Sequence, residues 1–184
     1  GIAMFDGTAR KDEEILKDAE VALYHAKKLG GDRIEAFRPS LRQQQQDLTA
    51  VEAELRRALE REEIAIVYQP IIRLADGAVA GFEALARWDH PKRGRIPPAE
   101  FIPVAERSGL IIPLGLYVLE RAAKQLQRWQ EAVDADIFCS VNVSSPQILR
   151  HDLINDVKAV LTRASVTPGS LKIEVTETLV MENP

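Results

Sequence analysis

The stretch VAGFEALARW, residues 79–88, decides the fold of this chain. Its small and apolar residues predict a β-strand, in which successive side chains point to opposite faces of a sheet. One face carries Phe82, Ala84, Ala86 and Trp88. The other carries Val79, Gly81, Glu83, Leu85 and Arg87. Either this strand is half exposed to water, or its polar face lines a site that needs a carboxylate and a guanidinium.

Two later segments repeat the alternation. SVNVSS, residues 140–145, places Asn142 between two serines on one face and two valines on the other. KIEVTET, residues 172–178, places Glu174 between a lysine and a threonine, opposite an isoleucine and a valine. Parallel strands covered by helices normally read as continuous apolar runs. The alternation therefore indicates that one face packs under helices while the other carries oxygen ligands.

The order of elements from residue 64 onward predicts an α/β architecture with parallel strands. Strands are predicted at residues 64–74, 79–88, 137–144 and 171–176. Helices are predicted at residues 97–106, 114–133 and 146–164, and a loop at residues 90–95. A barrel accommodates this pattern, because its inward residues form a site at the carboxyl ends of the strands.

The first part of the chain has a different pattern. Residues 1–5 predict a strand, residues 12–29 an amphipathic helix and residues 33–37 a second short strand. Residues 41–62 predict a polar, Gln-rich helix with a narrow apolar stripe. Since Pro39 interrupts the chain before that helix, we place a domain boundary near it.

The composition indicates a globular chain without a basic surface. Of 184 residues, 46% are hydrophobic and 28% are charged, and the formal net charge is −4, so we expect no nucleic acid polymer as a partner. The single cysteine, Cys139, excludes an internal disulfide framework and fits a reducing compartment. No apolar run approaches ~20 residues and no signal peptide is recognisable. We expect a cytoplasmic segment without membrane contact, although segments outside it could tether the parent protein.

The three polar strand faces predict one common site. In a barrel, the inward side chains of Glu83, Asn142 and Glu174 would converge. Carboxylates and a carboxamide without a nearby His/Cys cluster suit a hard cation, Mg²⁺ or Mn²⁺. The cation and Arg87 would together allow a phosphate group to approach an acidic pocket. The pattern therefore predicts metal-assisted phosphodiester hydrolysis.

At these residues the chain resembles the EAL-domain family, the bacterial cyclic-di-GMP phosphodiesterases. Five stretches carry the resemblance: YQPIIRLADG (68–77), GFEALARW (81–88), HPKRGRIPPAEFIPVAERSGLI (90–111), VNVSSPQ (141–147) and IEVTET (173–178). From residue 48 onward the chain is similar to the first half of an EAL domain. The resemblance implies an incomplete TIM-type (β/α) barrel whose first strand runs antiparallel.

The resemblance also implies roles for individual residues. The divalent metal, Mg²⁺ or Mn²⁺, would be bound by Glu83, Asn142 and Glu174, with Glu83 as the catalytic residue. Cyclic-di-GMP would be contacted by Gln69, Leu85 and Arg87. Glu177 would help to position a loop, and the product would be the linear dinucleotide pGpG.

Residues 1–38 resemble the C-terminal tail of a GGDEF (diguanylate cyclase) domain, through GIAMF and DAEVALYHAKKLGGDR. Lys27 matches a phosphate-contacting lysine of that family, although a solvated helix end explains it equally well. Gly31 stands where that family usually has an arginine. We therefore expect a GGDEF remnant at residues 1–38, a linker helix at residues 39–62 and a truncated EAL domain at residues 48–184.

The sequence ends, at MENP, before the family's DDFG-type motif, a catalytic lysine and a further glutamate. We expect an active phosphodiesterase in the parent protein and an inactive fragment here. Two alternatives stay open: a degenerate receptor that binds cyclic-di-GMP without hydrolysis, and a purely structural stub. A homodimer through the EAL domain or the linker helix is a further expectation. Phe82 and Trp88 are expected in the core, and Cys139 as a buried, reduced thiol.

Overall fold

The computed structural model describes residues 1–4, 11–133, 136–149 and 152–175. Its helices are α1 (Asp12–Lys28), α2 (Pro39–Glu60), α3 (Pro98–Ser108), α4 (Ile111–Ala132), α5 (Ser145–Ile148) and α6 (Leu153–Arg163). Its strands are β1 (Ile64–Ile72), β2 (Val79–His90), β3 (Gly94–Ile96), β4 (Phe138–Val143) and β5 (Leu171–Val175). The chain divides into two compact units, Gly1–Ala53 and Glu54–Pro184, and the division falls within α2.

The first unit contains α1 and the beginning of α2. Acidic residues occupy the first turn of α1 and basic residues its last turn, an arrangement that the helix dipole favours. Gly30, with a φ of 99°, follows the end of the helix. The buried face of α1 includes Asp18, whose carboxylate forms an ion pair with Arg42 of α2. The pair joins the two helices of this unit.

The strands predicted at residues 1–5 and 33–37 are wrong as continuous elements. In the described part of these segments, Ile2 and Ala36 form one isolated parallel bridge. The Ile2 N–H donates to the Glu35 carbonyl at 2.9 Å, and the Phe37 N–H donates to the Ile2 carbonyl at 2.7 Å. Among the described residues these two short segments pair only with each other, and an isolated pair gains too little from pairing to extend the ladder.

The second unit is built on one mixed sheet with the strand order β1-β2-β4-β5, and β3 pairs with the end of β2. β1 runs antiparallel to β2, whereas β2, β4 and β5 are parallel. Within the described residues the sheet is not closed, so the architecture is an incomplete TIM-type barrel with an antiparallel first strand. This confirms the predicted fold class. Pro70 is tolerated because β1 lies at the edge of this sheet.

The core lies between the sheet and helices α3 and α4. Ala84 and Trp88 of β2 and Val141 of β4 are buried on the sheet face that packs against these helices. The Trp88 ring meets the Phe101 ring edge to face, with the ring centroids 5.8 Å apart. Phe82 packs on Trp129 with a centroid distance of 4.4 Å. The predicted core role of Trp88 is confirmed, whereas Phe82 lies on the same face of the sheet but is only half-buried.

The loop predicted at residues 90–95 is shorter in the structure, where residues 91–93 form the turn of a hairpin and the flanking residues belong to strands. β2 continues to His90 and pairs with β3, with Asp89 opposite Arg95. Gly94 has a φ of 70°, which allows the tight return, and the His90 Nδ1 atom accepts the N–H of Arg93 at 3.0 Å. Arg95 Nε donates to Asp89 Oδ1 at 2.8 Å, so the side chains of this cross-strand pair are also hydrogen-bonded.

The single helix predicted at residues 146–164 is also wrong. It is replaced by α5, which ends at Ile148, and α6, which begins at Leu153. Leu149, between them, is 70% exposed. A continuous helix would gain no burial from this residue, whereas α6 buries Val160.

Candidate functional site

The polar residues of the strands share one face of the sheet, opposite the helix-covered core. Register places Gln69 of β1 beside Glu83 of β2, and Glu83 beside Ser140 of β4. It also places Asn142 of β4 beside Glu174 of β5. Paired residues of neighbouring strands point to the same side, so these side chains share what we call the inner face.

Glu83 and Asn142 are in direct contact. The Asn142 Nδ2 atom donates to Glu83 Oε1 at 2.6 Å. The Glu83 side chain is half-buried, whereas Asn142 and Glu174 are exposed. The predicted placement of all three residues on one face is confirmed, while their roles stay predictions.

The donors on this face fit a divalent cation. Two carboxylates and one carboxamide supply hard oxygen ligands, the kind that Mg²⁺ and Mn²⁺ prefer. Among the described residues there is no group of three or more His, Cys, Asp or Glu side chains that could hold a metal ion. A cation held here would therefore depend on the carboxamide oxygen of Asn142 in addition to the carboxylates. The hydrogen bond to Glu83 shows that this carboxamide reaches the carboxylate.

Leu85 and Arg87 follow Glu83 along the same face of β2. Arg87 is half-buried, and its Nη1 atom donates to the Ala86 carbonyl at 2.9 Å. Both residues and Asn142 line a cavity of about 200 Å³. Its other walls include Ile102 of α3, Leu114 of α4 and the side chain of Gln147. Residues that were predicted to bind the dinucleotide and the metal thus border one cavity.

The other predicted site residues have different settings. Gln69 is exposed on the edge strand, directly opposite Glu83. Lys27 is exposed in the last turn of α1, in the first unit. Glu177 lies outside the described residues. The structure therefore brings Gln69 to the inner face but leaves Lys27 in a separate unit.

Cys139 lies on the helix-covered face, opposite its neighbour Ser140. The thiol is buried, as predicted, and burial raises its pKa to about 12. Burial also raises the pKa of the Tyr68 hydroxyl to about 12, with a smaller contribution from Cys139. A thiol that stays protonated at neutral pH is a poor nucleophile, so Cys139 adds no chemistry to the inner face.

Two features of the site were missed in the sequence. Ser140 is fully buried, and its hydroxyl is without a hydrogen-bond partner among the described residues. No local signal predicts this burial. The Gln147 side chain accepts hydrogen bonds from Ser144. The S-x-x-Q spacing of these residues is that of a capping box, so the sequence carried a signal for this contact.

A model of the EAL domain family matches residues 52–184. The chain is 37% identical over 183 residues to the bifunctional diguanylate cyclase/cyclic di-GMP phosphodiesterase MucR of Pseudomonas aeruginosa, covering 100% of this chain and 27% of that protein. It is 34% identical over 183 residues to the cyclic di-GMP phosphodiesterase PdeR of Escherichia coli K12, covering 100% of this chain and 27% of that protein. The chain thus spans about a quarter of the length of these curated relatives.

Solved structures agree with the family match. The PaMucR phosphodiesterase in complex with c-di-GMP has a TM-score of 0.70 at 39% identity, and the match covers 73% of this chain and 54% of that chain. The EAL enzyme Bd1971, bound to cAMP and cyclic-di-GMP, has a TM-score of 0.73 at 26% identity over 96% of this chain and 46% of that chain. Within the described ranges, no helix is both long and apolar enough to cross a membrane.

Proposed function

Because the chain belongs to the EAL-domain family, we propose that residues 48–184 are the N-terminal part of a domain that hydrolyses cyclic-di-GMP to pGpG in a longer protein. The observation that carries the proposal is the 2.6 Å contact between Asn142 and Glu83 on the inner face, with Gln69 and Glu174 as register neighbours. Relatives that match the whole chain are named cyclic di-GMP phosphodiesterases.

The preceding residues are part of the same proposal. We assign residues 1–38 to the end of a GGDEF domain and residues 39–62 to a linker helix. MucR, named both a diguanylate cyclase and a phosphodiesterase, matches 100% of the chain, which supports this order. Helix α2, continuous over Pro39–Glu60, supports the linker assignment. Lys27, exposed at the end of α1, would contact phosphate in the GGDEF domain.

On the inner face, Glu83, Asn142 and Glu174 would hold Mg²⁺ or Mn²⁺, with Glu83 as the catalytic residue. The bound cation would supply an activated water and neutralise charge on the phosphate. Arg87 would donate charge-assisted hydrogen bonds to a phosphate oxygen. Gln69, beside Glu83 on β1, and Leu85, two residues further along β2, would contact the dinucleotide. Glu177 would position a loop of the site.

Phosphate needs this local help because the chain as a whole is acidic. With a formal net charge of −4, long-range electrostatics do not attract a dinucleotide that carries two phosphates. A bound cation and the Arg87 guanidinium place positive charge where the phosphate would lie. Binding should therefore depend on Arg87 and hydrolysis on the carboxylate of Glu83.

Binding without hydrolysis is the second candidate. It is favoured by the position of Arg87, Leu85 and Asn142 beside one cavity, because binding of the dinucleotide there would not by itself require a reaction. An EAL receptor of this kind would use the same inner face. The two candidates differ only in whether pGpG is formed.

The test is Glu83→Gln in the longer protein that carries this segment. The change removes a charge but keeps the shape of the side chain. We expect it to abolish pGpG formation with Mg²⁺ and with Mn²⁺, measured by chromatography, because less transition-state charge is stabilised. Calorimetric binding of cyclic-di-GMP with Ca²⁺ as the metal should survive.

The matched control is Glu131→Gln, on an exposed position of α4 where the Glu131 side chain accepts a hydrogen bond from Gln127 at 2.9 Å. This variant should retain full activity. If the unaltered protein binds cyclic-di-GMP tightly but forms no pGpG with either metal, the enzyme proposal fails and the receptor takes its place. If it does not bind cyclic-di-GMP at all, both fail.

A further inference from the structure

The turn that follows β4 is closed by a reciprocal set of hydrogen bonds. The Ser144 N–H donates to Gln147 Oε1 at 3.0 Å, and the Ser144 hydroxyl donates to the same oxygen at 3.0 Å. The Gln147 N–H donates to the Ser144 carbonyl at 3.0 Å. Both residues are buried. These bonds lie two residues beyond Asn142 and define how the chain leaves the sheet.

The capping of a helix does not explain this bonding by itself. Helix α5 has four residues, and a helix of one turn has little stability of its own. The bonds therefore hold a turn rather than stabilise a helix. What they hold in place is the carboxyl end of β4, where Asn142 is presented on the inner face.

Helix α4 is shaped to receive the Gln147 side chain. Gly115 lies inside α4, and a Cβ atom at this position would stand 1.8 Å from Gln147 Nε2. A glycine inside a helix is destabilising relative to alanine, so a packing reason is expected for it. The close approach of Gln147 supplies that reason. The turn after β4 is thus fixed against α4 as well as closed by its own hydrogen bonds.

Asn142 depends on this arrangement because its side chain lies on the exposed face of the sheet, where it donates to Glu83 Oε1 at 2.6 Å. Its side chain is exposed, and its neighbours Val141 and Val143 are buried on the other face. The outer face therefore fixes the backbone of the strand before and after Asn142, and the Ser144–Gln147 bonds fix the point where the strand ends. Gly115, Gln147 and Asn142 also line the same cavity beside Arg87.

We propose that Gln147 is a positioning residue, which acts through Ser144 to hold Asn142 in place for the divalent cation. The inference rests on the proposed function, since it assumes that Asn142 is a metal ligand. Gln147 is not itself proposed as a ligand of the cation; it acts on Asn142 through the turn at Ser144. The Oε1 atom is the essential group, because it accepts both hydrogen bonds from Ser144.

The test is the Mn²⁺ affinity of the longer protein that carries this segment, measured by electron paramagnetic resonance of free Mn²⁺, together with the thermal midpoint. Gln147→Leu removes the acceptor at similar volume. We expect it to weaken Mn²⁺ binding about tenfold, the low end of the range for losing support to a metal ligand. Gln147→Glu retains an acceptor in the S-x-x-E form of the capping box and should restore the affinity to within about threefold.

The matched control is Gln130→Leu. Gln130 makes the same kind of bonds near the other end of β4, since its Oε1 accepts the Thr167 N–H at 3.0 Å and its Nε2 donates to the Ile137 carbonyl at 3.4 Å. This variant should lower the thermal midpoint without changing the Mn²⁺ affinity. A purely structural role of Gln147 predicts the same behaviour for Gln147→Leu, and that result would overturn the inference.

Gly115→Ala decides the question if Gln147→Leu does not fold, because it displaces the Gln147 amide without removing its acceptor. It should weaken Mn²⁺ binding in the same direction, and unchanged affinity would refute the inference. Failure of the proposed function gives a different result: the unaltered longer protein would then show no Mn²⁺ binding that Glu83→Gln removes. Failure of the positioning role alone leaves that binding intact in every variant.

Discussion

The two faces of the same sheet differ in the polarity of their side chains and, at most positions, in how far these are buried. On the outer face, Ala84, Trp88 and Val141 are buried under α3 and α4. On the inner face, Glu83 is half-buried and Asn142 is exposed, although each lies one residue away from a buried neighbour. The difference teaches that stability and chemistry are assigned to alternate residues of one strand. Substitutions one position apart should therefore have different consequences.

Trp88→Ala should have the largest effect on stability among the changes considered for this sheet. Trp88 is fully buried, and the loss of a buried aromatic side chain costs about 3–5 kcal/mol of unfolding free energy. The Trp88 Nε1 atom is buried without a partner in the described residues, which places the expected cost near the lower end of this range. Urea unfolding of the 184-residue chain measures it. A loss below ~1 kcal/mol would show that the outer face is not the stabilising core.

Arg87→Ala should affect ligand binding rather than stability, because Arg87 lies next to Trp88 in the sequence but on the inner face. Binding of cyclic-di-GMP to the longer protein should weaken by about 1.5–3 kcal/mol, the value of a hydrogen bond to a charged group. The urea midpoint should change little. Calorimetry with Ca²⁺ measures the binding, and Arg163→Ala, which removes an exposed arginine paired with Glu120 at 3.0 Å, is the control. Equal losses in both variants would indicate a general charge effect.

The burial of Cys139 on the outer face predicts that the stability of the chain depends on pH. Burial raises its pKa to about 12, above the ~8.5 of an unfolded thiol, so the folded state retains the proton longer. Below pH ~8.5 the thiol is protonated in both states, so it does not lower the free energy of unfolding. Above that pH the free energy of unfolding should fall by at most about 1.4 kcal/mol per pH unit, up to pH ~12. The urea midpoint at pH 8 and pH 10 measures this. Cys139→Ala should reduce the slope and leave the contribution of Tyr68, whose pKa is also raised to about 12.

Loss of the ion pair between Asp89 and Arg95 should have the smallest effect on stability. It shows how much an exposed contact contributes, for comparison with the changes on the two faces. Hydrogen bonding to Arg95 lowers the pKa of Asp89, but both groups are exposed. Exposed pairs contribute little, so Asp89→Asn should shift the thermal midpoint by no more than about 2 °C. Differential scanning calorimetry measures it. A larger shift would mean that the β2–β3 hairpin supports the core.

Local patterns in the sequence determined much of the fold and the composition of the site. The alternation in residues 79–88 assigned Glu83 and Trp88 to opposite faces, and the spacing of apolar residues predicted α1 and α2. Both signals need only neighbouring residues, because a side chain's direction within a strand or helix follows from backbone geometry. The family resemblance added the antiparallel direction of β1, which the pairing of β1 with β2 confirms.

Tertiary structure alone decided the features that depend on distant residues. The 2.6 Å contact of Asn142 with Glu83 and the close approach of Gln147 to Gly115 join residues far apart in the sequence, whose proximity no local period encodes. The burial of the Ser140 hydroxyl without a partner belongs to the same group. The β2–β3 hairpin and the separation of α5 from α6 are local features that the sequence patterns did not identify. Register and packing are set by the sum of many long-range contacts, so the sequence named the residues of the inner face, and only the folded sheet determined which of them touch.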